Sequence, residues 1–323
     1  MRSSLFLVVA GLVVVSGWLH AADTVIVPQD SKLEQLWNEG EFTEGAARGP
    51  DGAIYFSDIP MEVVGKVYKF DPKTGKTTVY CPDSQKSNGL VFDRKGRLLA
   101  ACGANHGARA ICEITPKGEV KPLVQKFEGK LFNAPNDIDV HPRGWVYMTD
   151  PFYVGPEPLE LDHMSVFLWR PEDGSVIRVT TDITKPNGVA VSPDGKTLYV
   201  AETNNGKPLL GNSEYAAWRM TLNAFPIMDD GTLGQRRIVV DFGKDAGIDG
   251  MCLDAAGRIY AAIRNEKRFG IAVIDPATGK ELAFIPTPDL PTNCCFGSGD
   301  DRQTLYVTVG KGLYRIRLGV DGL

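Results

Sequence analysis

Six residues able to ligate a cation or handle a proton recur at a fixed place in this chain. They are Glu44, Asn88, Asn136, Asn187, Asp249 and Asn293, spaced 44, 48, 51, 62 and 44 residues apart. Each opens a short apolar run, and in four of them Gly follows: Gly45, Gly89, Gly188 and Gly250. Asp, Glu and Asn make up 52 of 323 residues, so six from six at one register is not a chance expectation. Asn-Gly and Asp-Gly form turns readily in any protein, which accounts for the glycines but not for Glu44. If the six converge, they offer oxygen donors only. Ca2+ accepts carboxylates, amide carbonyls and water in variable geometry. Glu44 and Asp249 would neutralise a divalent ion, Asn136 and Asn187 would add neutral oxygens, and Asn88 and Asn293 are left for water or substrate. His and Cys are missing from the register, which places soft-site metals lower. The expected cofactor is therefore one divalent cation, Ca2+ first, with Mg2+, Mn2+ or Zn2+ behind it. Such an ion polarises a carbonyl and acidifies water. Asp249, or Asp137 beside Asn136, would take the proton. A ligating Asp is a poor base because the ion lowers its pKa, so both stay candidates.

The elements that position these residues repeat with them. Eight residues after the first five openings stands a glycine: Gly52, Gly96, Gly144, Gly195 and Gly257. A second strand follows, with Tyr55, Leu99, Tyr147, Tyr199, Tyr260 and Tyr306 at nearly the same place. Five units show a further turn flanked by another strand pair, as at Asp71–Gly75 and Asp275–Gly279. Repeats of about 40–50 residues holding four strands indicate a β-propeller. The expected fold is all-β: six blades of four antiparallel strands, one domain over 23–323. The last unit ends soon after Leu313-Tyr314-Arg315-Ile316, so Leu33–Trp37 is expected to supply its outer strand and close the ring.

In such a meander the openings share one face near the central channel, and the glycine turns lie on the other. The loops after the second strands also border the mouth. They bring His106 and Arg109, in C-G-A-N-H-G-A-R, and Asp150 as candidate substrate contacts, with Phe152 and Tyr153 as wall residues and Glu202, Asn204 and Asn205 as weaker ones. His141 falls in a far-face turn and His163 in an acidic loop segment, so neither is favoured.

Composition narrows the partners. Hydrophobic content of 43% and charged content of 23% describe a globular chain. Net charge is −5 with no basic run, which argues against nucleic acid. Residues 1–22 read as a secretory signal: Arg2, an apolar core from Leu5 to Val15, then small residues with cleavage after Ala21 or Ala22. The mature chain is expected to be exported, periplasmic or secreted, off the membrane and monomeric. The six cysteines lack C-x-x-C spacing. Cys252 and Cys294 fall inside strand runs as buried thiols, while Cys102 and Cys112 could face one another across neighbouring strands. No G-x-S-x-G elbow and no βαβ dinucleotide pattern is present.

Several segments together resemble the family of gluconolactonases, regucalcin, luciferin-regenerating enzyme and diisopropylfluorophosphatase: F-T-E-G at 42–45, N-A-P-N-D at 133–137, W-V-Y-M-T-D-P at 145–151, K-P-N-G at 185–188, G-I-D-G-M-C-L-D at 247–254 and P-T-N-C-C-F-G at 291–297. The resemblance implies a six-bladed propeller with one catalytic divalent metal held by Glu44, Asn187 and Asp249, and with Asn136 as ligand or substrate contact. It implies hydrolysis of a sugar lactone. Ala46-Ala47 departs from the family's usual Pro and aromatic at that point, which alters the pocket beside Glu44. Phosphotriester hydrolysis on the same metal, or a non-catalytic sugar- or protein-binding propeller, are the alternatives, since fold alone does not decide activity.

Overall fold

The computed structural model describes residues 25–207 and 213–323; the expected signal segment, 1–22, lies outside them. Six four-stranded antiparallel sheets follow one another along the chain, as the repeat predicts. Their inner strands are Thr43–Arg48 in blade I, Ser87–Phe92 in blade II, Ile138–Val140 in blade III, Pro186–Val191 in blade IV, Ile248–Leu253 in blade V and Pro291–Phe296 in blade VI. Each inner strand neighbours that of the next blade, and blade VI returns to blade I.

The core is divided into wedges between blades because strand side chains alternate in direction. In Leu98–Cys102, the middle of blade II, Leu98, Ala100 and Cys102 pack toward blade I, whereas Leu99 and Ala101 pack toward blade III. Both faces of the strand are buried, so it reads as a continuous apolar run. The ring closes as expected. Glu34–Trp37 pairs antiparallel with Gly312–Arg317, completing blade VI. Arg315 Nε donates to Glu34 Oε2 at 2.9 Å, and the Trp37 ring lies 4.5 Å from Tyr68 of blade I.

The glycines eight residues past the openings all take left-handed φ values, from 70° at Gly195 to 90° at Gly144, which only Gly adopts without strain. The glycines beside the openings serve a different end from the turns that Asn-Gly pairs usually make. They lie on inner strands, where adjacent blades come into contact. A Cβ on Gly89 would sit 2.3 Å from Asp137 Oδ1, and one on Gly250 would sit 2.3 Å from Asn293 Cγ.

Those two contacts correct the register in blade VI. In blade II Ser87 pairs with Cys102 and Leu90 with Ala100; in blade V Ile248 pairs with Ile263 and Met251 with Ala261. Blade VI follows the same three-against-two step from Pro291↔Val309 to Cys294↔Val307. The residue equivalent to Asn88 and Asp249 is therefore Thr292, one before Asn293. Asn293 takes the place of the glycine, and so does Asp137 in blade III. Their side chains fill the space that Gly250 and Gly89 leave in the preceding blades.

Candidate active site

A β-bulge sets five of the six openings. In blades I, II, IV, V and VI the inner strand carries one extra residue against its partner, and the irregularity falls at the opening. A bulge breaks the alternation and re-aims a side chain. Here it turns Glu44, Asn187 and Asp249 into the channel.

These three are buried and come together. The Asn187 side chain lies beside both Asp249 and Tyr153 and favours the charged form of each. Burial, and then the neighbouring Asp249, push the Glu44 carboxyl well above the usual carboxylate range, against the pull of Arg264. Burial likewise raises Asp249, although the Arg264 guanidinium and Asn187 oppose it. Arg264 Nη1 donates to Asp249 Oδ2 and is held charged first by that carboxylate. Tyr153 reaches in from the loop after the second strand of blade III, its hydroxyl donating to the Thr203 carbonyl at 3.3 Å. Burial and Asp249 keep that phenol protonated.

The other expected residues are arranged around this cluster in other ways. Asp137 is buried, but both oxygens accept backbone amides: Ile138 N on Oδ1 at 3.0 Å and Val189 N on Oδ2 at 3.1 Å. Burial nevertheless pushes it up to about 7. Asn136 is half-buried, its amide donating to the Thr149 carbonyl and its own carbonyl accepting from Gly89 N. The half-buried Asn88 offers its carbonyl to Ser57 Oγ at 2.8 Å. Asn293 Oδ1 accepts from Cys294 N at 2.8 Å while its amide packs on Gly250. Asp150 is fully buried and grips the loop before Asn136, accepting from Asn133 N and Ala134 N at 2.8 Å each. Burial pushes it up to about 7. Arg109 holds the same loop, its Nε donating to the carbonyls of Phe132 and Asn133. His106 is exposed at the mouth, on a left-handed backbone fixed by Glu157 Oε1 on its amide. Glu202 is tied up by the backbone and hydroxyl of Thr184.

Arg264 is the site residue that sequence reasoning missed. It stands one residue past the second strand of blade V, in a loop already expected at the mouth. By pairing register Ile59, Gly103, Pro151, Thr203 and Gly310 are its equivalents in the other blades, Thr203 still within its longer strand. A single charge among small and apolar equivalents was the available signal.

The donor set suits a hard cation. Glu44, Asp249 and Asn187 supply two carboxylates and an amide, and the mutual repulsion of the carboxylates calls for positive charge between them. Among the described residues no group of three or more His, Cys, Asp or Glu could by itself hold a metal. Below the cluster, the lower channel forms an open cavity of about 220 Å³ lined by inner-strand residues including Asp139, Cys252 and Cys294.

Residues 42–311 match the model of the SMP-30/Gluconolactonase/LRE-like region. A gluconolactonase of Zymomonas mobilis is 28% identical over 92% of this chain and 84% of its own. Regucalcin of Xenopus laevis is 32% identical over 84% of this chain and 89% of its own. The solved structure of a gluconolactonase from Xanthomonas campestris superposes with a TM-score of 0.77 at 29% identity, covering 91% of each chain.

Proposed function

The chain belongs to the SMP-30/gluconolactonase/LRE-like family, and from that premise we propose that it hydrolyses a lactone at the Glu44–Asn187–Asp249 cluster with one divalent cation, Ca2+ first among candidates. The observation that carries this reading is the convergence of two buried carboxylates, an amide and a guanidinium at one end of the channel. The gluconolactonase relatives support the reaction class.

Glu44, Asp249 and the Asn187 amide oxygen would hold the ion, which when bound supplies Lewis acidity toward the ester carbonyl. Hydrolysis adds water to that carbonyl and breaks the ring carbon–oxygen bond, giving a hydroxy acid. We assign proton removal from water to Asp249. Asp137 has both oxygens on backbone amides, which fits a strut between blades III and IV. Burial raises Asp249 above the ordinary carboxylate range, with Arg264 and Asn187 opposing it. The Arg264 guanidinium is a fixed donor for the negative charge that develops on the carbonyl oxygen. Phe152, Met164 and Tyr215 form a buried apolar cluster that supports the loop carrying Tyr153. The secretory signal expected at residues 1–22 supports export of this activity from the cytoplasm.

The test is acid release from a panel of aldonolactones by the purified chain from residue 23, in chelator and after Ca2+ is restored. We expect turnover that chelator removes and Ca2+ returns. Chelator-insensitive turnover would remove the cation from the mechanism; no turnover with cation bound would remove the hydrolase reading.

A further inference from the structure

We infer that Cys252 and Cys294 are a redox pair that closes into a disulfide between blades V and VI. Their Sγ atoms lie 3.3 Å apart, on inner strands of adjacent blades, and all six cysteines are unbonded thiols in the structure. Both line the channel cavity, so a small oxidant reaching the cavity meets them together. The pair Cys102 and Cys112 is also in contact, Cys112 being the first cause of the raised Cys102 thiol, but it differs in placement. It lies within blade II, offset in register because Cys102 faces Ala110 and Cys112 faces Ala100. Both its thiols are fully buried and neither lines that cavity. Cys295 also borders the cavity, but it packs against the wedge between blades VI and I.

The oxidant is a low-molecular-weight disulfide such as oxidised glutathione. One cysteine thiolate attacks it, forming a mixed disulfide and releasing one thiol. The second thiolate attacks the protein-bound sulfur and releases the other. Two cysteine protons are lost, two electrons pass to the reagent, and one S–S bond is exchanged for another. Burial pushes the Cys252 thiol well up, so the reaction is expected to quicken with rising pH. The cross-link would sit three residues past Asp249 and one past Asn293, pinning the strands on which both are carried.

The experiment is incubation of the folded chain with oxidised glutathione, followed by thiol titration in denaturant and peptide mapping without reductant. We expect the titre to fall from six to four, a mass loss of two hydrogens, and one cross-linked peptide joining Cys252 to Cys294. Cys295→Ser should form the same bond, and Cys252→Ser should lose no thiols as a pair. The oxidised wild type should melt several degrees higher than the reduced one, a shift Cys252→Ser lacks. An unchanged titre, a bond between Cys102 and Cys112, or a stable glutathione adduct without the cross-link would overturn the inference.

Discussion

The guanidinium of Arg264 rests on Oδ2 of Asp249, so this site carries a positive charge of its own next to a carboxylate proposed to bind a cation. The two positive charges compete for one oxygen. Replacing Arg264 by Gln should therefore tighten Ca2+ binding by about tenfold, the equivalent of about 1.4 kcal/mol. Isothermal titration calorimetry reads it directly. Equal or weaker binding in Arg264→Gln would mean that Arg264 aligns Asp249 for the ion.

Asp249→Asn keeps the shape of the side chain and removes its charge. If Asp249 accepts the proton from water, kcat on the best lactone should fall by at least about 10²-fold. The thermal midpoint in chelator should stay within a few degrees of wild type, because Asn also relieves the repulsion of Glu44. A rate within threefold of wild type would assign the proton to another group.

Burial pushes Asp139 up to about 6 and Asp150 up to about 7, well above the usual value of about 3.9 for an unfolded Asp. Folded, both hold protons that the unfolded chain has released. Their contribution to stability is complete below about pH 4 and is lost as pH rises through 6 and 7. In chelator, the melting midpoint should therefore decline from pH 5 to pH 8. A midpoint that climbs over this range would show that both carboxylates are ionised in the fold.

Gly250→Ala tests the packing between blades V and VI. Its Cβ would meet the Asn293 amide at 2.3 Å, and the backbone there needs no left-handed angle. Overpacking of this kind costs about 1–3 kcal/mol. Gly129, with a φ of 81° and nothing within 4 Å of an added Cβ, provides the contrast. Gly129→Ala should show only the left-handed penalty of about 1–2 kcal/mol, with no effect on the site, whereas Gly250→Ala should also weaken cation binding. Urea unfolding and calorimetry on both variants separate strain from displacement.

Much of this molecule can be read from its sequence because the repeat is written twice, once in the openings and once in the far-face glycines. The blade count, the closing strand and the convergence of the openings follow from that doubled spacing, while the choice of Glu44, Asn187 and Asp249 among them comes from the family resemblance. What escapes is set by backbone detail. The bulges at five of the openings carry no residue signature that blade VI shares, so spacing alone points to Asn293 as the sixth opening, whereas the ladder puts it at Thr292. Asp137 and Asp150 look like free carboxylates in the sequence. Only the fold shows that their oxygens are occupied by amides of Val189, Ile138, Asn133 and Ala134. Arg264 belongs to no repeat, and its reach across to Asp249 depends on a loop whose course no spacing dictates.

The pairing of Glu34 with Arg315 bridges 281 positions of sequence. Ring closure of that span is slow, because its entropy must be lost before the last sheet repays it. Blades I to V consist of local hairpins and can assemble early, leaving an open horseshoe whose first and last wedges are exposed. The rate at which the propeller becomes active after refolding should therefore report on this single late clasp, and the half-closed chain is the species most prone to trap a neighbour's strand in its place.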